Sequence, residues 1–191
     1  MDQGNFEHEL KKENLRIEGE RIYLRPVGEL DATVEYVGWL NDPEVNQFLE
    51  SRFTVHTKAN LQEYIRKQSA DPNTLFLAIV LKETGEHIGN IKLGPMDWHH
   101  GIGDIGIMIG DKKSWGKGFA TEAIQLLEHY AFEVLHLHKL TASAYEPNRG
   151  STKAFLKAGF FEEGKRSEHA LFEGSYINVV LMGKINKNGK N

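Results

Sequence analysis

A chain of 191 residues is long for one small domain and short for two, and with 40% hydrophobic and 10% aromatic residues it holds enough apolar material for one buried core, so wholesale disorder is excluded. The 23 Lys and Arg against 27 Asp and Glu leave a net charge of −4, which argues against a protein that works by coating nucleic acid or an anionic membrane with positive charge. There is no cysteine, so disulfides, thiolate nucleophiles and cysteine-ligated metals are excluded together.

Residues 1–20 are polar and charge-dense and read as an arm ahead of one domain over residues 21–184, with a tail over 185–191. The first stretch lacks the apolar core of a signal peptide, and the longest apolar run, Leu75 to Leu81, is too short to span a bilayer, so a cytoplasmic setting is expected. Arg21 to Arg25 alternates around Ile22 and Leu24 until Pro26 and predicts a short strand. Asp31 is placed to cap a helix carrying Val34, Val37 and Leu40, and Asn41-Asp42-Pro43 breaks the chain after it. Thr57 caps a second helix with Leu61, Tyr64 and Ile65 at spacings of three and four.

Leu75 to Leu81 has no polar face and predicts a strand covered on both sides, turned by Lys82-Glu83-Thr84-Gly85 into a second strand, Glu86 to Leu93. A polar loop with Trp98, His99 and His100 follows, and Asp104 to Ile109 then alternates Ile105, Ile107 and Ile109 as a third central strand. Phe119 to Leu135 keeps helical spacing through Ala123, Leu127, Tyr130, Ala131 and Val134. Lys139 to Tyr145 alternates as a strand, with Tyr145 read as strand packing, and Pro147-Asn148 opens a short helix that stops at Gly159. Two last strands, near Phe161 to Arg166 and Tyr176 to Lys184, complete a mixed α/β arrangement.

The segment between the Asp104 to Ile109 strand and the longest helix is rich in glycine, from Gly110 through Gly116 and Gly118. A strand, a glycine turn and a helix N-terminus together make an anion site, because first-turn N–H groups and the helix dipole both favour negative charge. A nucleoside-triphosphate loop is excluded by spacing: five residues separate Gly110 from Gly116, and Gly118 stands where the magnesium-ligating hydroxyl belongs. Gly101-Ile-Gly103-Asp-Ile-Gly106 has the dinucleotide spacing but precedes a strand instead of following one, so it carries no such function.

Lys113-Ser-Trp-Gly116-Lys117-Gly118-Phe-Ala120 resembles the Arg/Gln-x-x-Gly-x-Gly/Ala pyrophosphate loop of the GNAT N-acetyltransferases, with Lys113 where the family prefers Arg or Gln. Asn148-x-x-Ser151 followed by Ala158-Gly159-Phe160 is similar to that family's second signature. The resemblance covers residues 20 to 184 and is nearest the branch of ribosomal-protein N-terminal, spermidine and nucleotide-amino-sugar acetyltransferases. It implies a central, mixed, largely antiparallel twisted sheet of about six or seven strands flanked by about four helices. It also implies acetyl-CoA as co-substrate, no metal, and direct acetyl transfer to an amine-bearing small molecule. In this reading Lys113, Ser114, Trp115, Gly116, Lys117, Gly118, Phe119, Ala120 and Thr121 hold the pyrophosphate. Main-chain groups of Ile107, Met108 and Ile109 take the pantetheine arm and thioester carbonyl, and Asn148 holds the arm from the other side. A homodimer is left open.

Two proton transfers accompany the chemistry, since an amine with pKa about 10 must lose a proton and a departing thiolate with pKa about 8.5 accepts one. Many relatives place a tyrosine seven residues after the Asn, but Phe155 stands there and has no proton to give. Ser151 resembles the serine given this role in the ribosomal-protein branch; its other reading is a helix-start residue. Asp104 and His100 are the candidate bases. His136 and His138 lack a third ligand at a recognisable spacing, so no metal site is expected. For the acceptor, Glu44, Glu50 and Glu63 would suit a polyamine, whereas Arg52, Arg66 and Lys67 would suit a nucleotide sugar. The stretch Trp39 to Val45 resembles the small-molecule and sugar branch and puts amino sugars ahead of polyamines. The alternatives are a protein N-terminus as acceptor, or a non-catalytic acyl-CoA-binding module.

Overall fold

Eight segments with apolar runs or alternation form strands, and all eight join one sheet in the computed structural model, which describes residues 14–187. In chain order the elements are β1 (Ile17–Glu18), β2 (Ile22–Pro26), α1 (Val34–Asn41), α2 (Pro43–Asn46), α3 (Lys58–Ala70), β3 (Leu75–Leu81), β4 (His87–Asp97), β5 (Ile102–Ile109), α4 (Phe119–Glu133), β6 (Lys139–Tyr145), α5 (Arg149–Lys157), β7 (Phe161–Phe172) and β8 (Ser175–Ile185). The sheet order is β1-β2-β3-β4-β5-β6-β8-β7, and every neighbouring pair is antiparallel except β5 and β6.

The two-sided burial expected for Leu75 to Leu81 follows from helices on both faces. On one face Leu77, Ile79, Ile91 and Ile105 pack with Ala123 and Leu127 of α4 and Phe155 of α5. On the other, Phe76, Ala78 and Val80 pack with Tyr36 and Leu40 of α1 and Leu61 and Ile65 of α3. Among the described residues no helix is long and apolar enough to cross a membrane.

Several boundaries differ from the pattern reading, each for a local reason. The sheet has eight strands because Ile17 and Glu18, read as part of the arm, pair with Leu24 and Tyr23. Residues 1–13 of that arm and 188–191 of the tail lie outside the described residues. Thr33, not Asp31, caps α1, its Oγ1 accepting from the Tyr36 N–H at 3.2 Å. Arg25 on β2 claims the Asp31 carboxylate with two bonds of 2.8 and 2.6 Å, so the helix starts later, Tyr36 and Leu40 become its buried face, and Val34 is 83% exposed. Asp42-Pro43 does more than break the chain: Asp42 caps α2 by accepting from the Glu44 N–H, and Pro43 occupies its first turn. Strand β4 outlasts Leu93 because a bulge absorbs Pro95 and pairing resumes at Met96.

Pairing between β5 and β6 is confined to Ile102 with Lys139, Gly103 with Leu140 and Asp104 with Thr141. Beyond Asp104, β5 stays tied to β4 as far as Ile109, and β6 stays tied to β8 as far as Tyr145. The sheet is therefore split along the facing edges of Ile105–Ile109 and Ala142–Tyr145.

At the start of β4, His87 meets the rings of Tyr36 and Trp39 edge-on at 5.6 and 5.3 Å. Burial pushes its imidazole below the ordinary 6.5, with Asp31 opposing and Arg25 reinforcing the shift. The unfolded chain then binds the proton that the folded chain refuses, so stability is full above about 6.5 and is lost as pH falls towards the lower folded value. The expected outcome is a Tm that drops between pH 7 and 5.5 in the parent protein and drops less in His87→Gln, measured by calorimetry; parallel profiles would show that His87 does not titrate in folding.

Candidate active site

Strand β5 runs directly into the glycine segment, which is held by main-chain bonds before it reaches α4. The N–H groups of Gly110 and Asp111 both donate to the Ile88 carbonyl, at 2.9 and 3.1 Å. Asp111 then caps a single 3-10 turn, Lys112–Ser114, accepting from the Lys113 N–H at 3.2 Å and the Ser114 hydroxyl at 2.6 Å. The Trp115 indole N–H donates to the Ile109 carbonyl at 2.8 Å. These bonds push Gly116-Lys117-Gly118 outward. Gly116 and Gly118 adopt φ of 72° and 85°, and no atom lies within 4 Å of where a Gly116 Cβ would stand, so the turn is an open cradle.

Gly118 caps α4 without a side chain, and the first helical bond is from the Glu122 N–H to its carbonyl. The N–H groups of Phe119, Ala120 and Thr121 precede that bond and have no intrahelical acceptor. This geometry fits a pyrophosphate. Arg21 anchors the cradle from behind: its guanidinium donates to the Lys117 carbonyl and to Glu122 at 2.8 Å each and lies over the Phe119 ring. In the sequence Arg21 carries no sign of this role, since nothing along the chain marks a contact across about 100 residues. Ser114 is buried with its hydroxyl committed to Asp111, so it shapes the loop, as does Trp115 through its bond to Ile109, while Lys113 and Lys117 are exposed.

Across the split, Asn148 caps α5 by accepting from the Ser151 N–H at 3.1 Å, which leaves its amide N–H2 to donate elsewhere. Ser151, Asn148, Phe155 and Tyr145 line a cavity of about 670 Å³ together with Ile105–Ile107 of β5. The Tyr145 hydroxyl donates to Glu50 and accepts from Arg52 at 3.1 Å. Burial, and then the Glu50 bond, push this phenol above its ordinary value. The Glu50–Tyr145–Arg52 group is the cluster that alternation concealed, because Tyr145 ends a strand whose inward register is Leu140, Ala142 and Ala144, and its distant partners leave no mark in the pattern.

A second cavity of about 380 Å³ adjoins the first, between the sheet and helices α1 and α3. Gly106, Ile107 and Leu49 line both cavities, so the two meet at the free edge of β5.

The candidate bases separate. Asp104 sits at the fork, the last residue of β5 paired with β6, and accepts from the Thr141 hydroxyl at 2.8 Å. Burial raises its carboxyl above the usual range against the opposing Thr141, Lys92 and Arg166. His100 lies in the turn before β5, its N–H bonded to Asp97 and its ring against His99. At about 3.3 Å per residue, Ile102 alone is roughly 13 Å from Gly106, and His100 is farther still. The structure therefore does not bring His100 to the site. Its loop lines neither cavity, because the Trp98 indole turns inward and bonds to Asn73.

The expected acceptor charges scatter as well. Glu44 pairs with Lys112 at 2.6 Å, Glu63 pairs with Arg66 and Lys67 on the outer face of α3, and only Glu50 and Arg52 line a cavity. In the stretch Trp39 to Val45, the Trp39 ring fills the space a Gly110 side chain would need, and Asp42 binds Lys112 at 2.7 Å. Its residues brace the glycine loop.

The chain matches the acetyltransferase (GNAT) domain family over residues 21–161. It belongs to the GNAT acetyltransferases. An uncharacterized N-acetyltransferase of Bacillus licheniformis, p20, is 31% identical over 170 residues, covering 88% of this chain and 94% of that protein. Among solved structures the spermidine N-acetyltransferase of Vibrio cholerae, in complex with CoA and spermine, superposes with a TM-score of 0.79 at 23% identity, covering 90% of this chain and 99% of that one. The ribosomal-protein-S5-alanine acetyltransferase of Vibrio fischeri does so with 0.74 at 19% identity, covering 93% and 100%. The GNAT family uses acetyl-CoA, and the open glycine cradle and free N–H groups of α4 are suited to it.

Gly118→Asp is expected to abolish acetyl-CoA binding in calorimetry, because a carboxylate at the helix start repels pyrophosphate and a side chain strains φ of 85°. Equal binding by the variant would remove the loop from the site. Gly110→Ala places a methyl 2.1 Å from Trp39 Cδ2. It is expected to cost about 2 kcal/mol, a fall of about 4–8 °C in Tm, whereas an unchanged Tm would show that the indole gives way freely.

Proposed function

We propose that this GNAT enzyme transfers the acetyl group of acetyl-CoA to a primary amine of a small molecule by direct attack in the split between β5 and β6. The observation that carries the reading is the continuity of three features: the anion cradle at α4, the unpaired edge of Ile105–Ile109, and Asn148 with Ser151 facing that edge. Residues Gly116 to Thr121 hold the pyrophosphate. Main-chain groups of β5, where alternate residues turn both N–H and C=O to the open side, take the amides of the pantetheine arm. The Asn148 amide supports the arm from across the split.

The amine nitrogen attacks the thioester carbonyl carbon, the carbon–sulfur bond breaks, the thiolate gains a proton and the amine loses one. Ser151 supplies the first proton from the third position of α5. Of the nearby carboxylates, Glu50 lines the cavity itself and is oriented by Tyr145, so it is better placed than Asp104 at the fork to receive the second. Alignment of the two reactants supplies about 7–11 kcal/mol of barrier lowering, so a site without a strong side-chain nucleophile suffices.

Ser151→Ala is expected to lower kcat about tenfold to a hundredfold while acetyl-CoA affinity stays within twofold, since only a transition-state interaction is lost. Release of free thiol in steady state measures it. An unchanged kcat would reduce Ser151 to a helix-start residue, and acetylation of peptide N-termini with no small amine consumed would assign the protein-modifying reaction instead.

A further inference from the structure

We infer that the acceptor is a small monoamine with an apolar body and one hydrogen-bond-accepting group, seated in the cavity between α1, α3 and the face of β4 and β5, with Asn90 reading that group. The inference rests on the acetyl-transfer reading and names the substrate class of that site.

The cavity has a volume of about 380 Å³, at the small end of the range for ligand sites. Its walls are mostly carbon, with Tyr36, Leu40, Phe76 and Met108 around a floor that carries Asn90 and Lys92. No carboxylate lines it among the described residues. A polyamine would have to place a second ammonium beside Lys92 in a cavity whose lining offers it no carboxylate, and burial of an unpaired charge is strongly unfavourable. A sugar nucleotide would need converging cations for its diphosphate, but Arg52 lines only the adjoining cavity, bonded to Tyr145 and the Leu49 and Leu171 carbonyls, and Arg66 and Lys67 lie on the outer face of α3, where they pair with Glu29 and Glu63. The amine of an apolar molecule is well served here, because an apolar wall and a neighbouring Lys92 both disfavour the ammonium form and leave the free base that attacks.

Asn90 gives the second observation. It is 4% exposed, and its Nδ2 has no hydrogen-bond partner. Its orientation follows from His87. The Gly89 carbonyl only accepts, so the His87 Nε2 at 2.9 Å carries the hydrogen, and it is the Asn90 oxygen that faces that nitrogen at 3.0 Å. The amide N–H2 is left over among the described residues, on a side chain that lines the cavity. A buried donor without an acceptor is rare and costly, so it marks the place where a ligand carbonyl or hydroxyl completes the bond. From this floor Gly106 and Ile107 lead to the free edge of β5, which is the route an amine on a short body takes to the thioester.

The test is thiol release by the full chain with acetyl-CoA and four acceptors: phenylalaninamide, phenethylamine, spermidine and a nucleotide-linked amino sugar. The two aromatic amines are expected to have the highest kcat/KM. Asn90→Leu is expected to raise the KM for phenylalaninamide about tenfold, while the KM for phenethylamine, which has no carbonyl, and the affinity for acetyl-CoA stay within twofold. Lys92→Glu is expected to raise kcat/KM for spermidine. Higher kcat/KM for spermidine or the amino sugar in the parent protein would overturn the inference and leave acetyl transfer standing, as would an equal KM change for both aromatic amines in Asn90→Leu. Binding of acetyl-CoA with no amine consumed would overturn the transfer reading itself.

Discussion

Strands β5 and β6 run parallel, and that one choice of direction organises the site. A parallel pair requires a crossover, which α4 supplies, and the helices that leave the two strands then begin at the same end of the sheet. The N-terminus of α4 and the N-terminus of α5 therefore flank one opening, just where the strands stop pairing after Asp104. Two helix starts offer donors, and the split offers an unpaired strand edge. Main-chain groups without partners are unfavourable in a protein interior, so an edge that stays open beside a cavity is a place for a ligand with amides of its own.

The opening keeps its shape because each side is tied to something else. Strand β5 remains bonded to β4, and β6 to β8, so divergence costs neither strand its outer ladder. The glycine loop is held on three sides: by Trp39 against Gly110, by Lys112 between Asp42 and Glu44, and by Arg21 between Lys117 and Glu122. Exposed ion pairs contribute little singly, at about 0–1 kcal/mol. Their use here is geometric, since together they fix the path of the chain on either side of Gly116 and Gly118.

The two cavities that meet at β5 differ in chemistry. The cavity at the split is lined by Tyr145, Glu50, Arg52 and Ser151, groups that can hold or move protons. The cavity under α1 and α3 is lined mainly by aromatic and aliphatic side chains, with Lys92, His56 and one unsatisfied amide among them. Gly106, with no atom within 4 Å of where its Cβ would stand, lies on the border between them and leaves the passage clear. Phe155, seven residues after Asn148, is 1% exposed and packs edge-on to Phe160 at 5.1 Å, so that position serves the core.

What the sequence determined by itself was local. Period-two alternation and an unbroken apolar run located the central strands, with Leu75 to Leu81 and Lys139 to Tyr145 matching residue for residue. The spacing of Leu61 and Ile65 located the inner face of α3, and Gly116, Gly118 and Asn148 marked the two helix starts, because glycine turns and side-chain caps act within a few residues of chain. The tertiary structure alone decided whatever depended on a distant partner. Asp31 lost its capping role to Arg25 on another strand, and His100 came to lie at the wrong end of β5. Tyr145 met Glu50 across 95 residues of chain, and Asn90 was left with a spare donor only because His87 took its oxygen. Charge pairing and buried hydrogen bonds act through space over a few ångströms, and no periodicity along the chain encodes which residues will be that close.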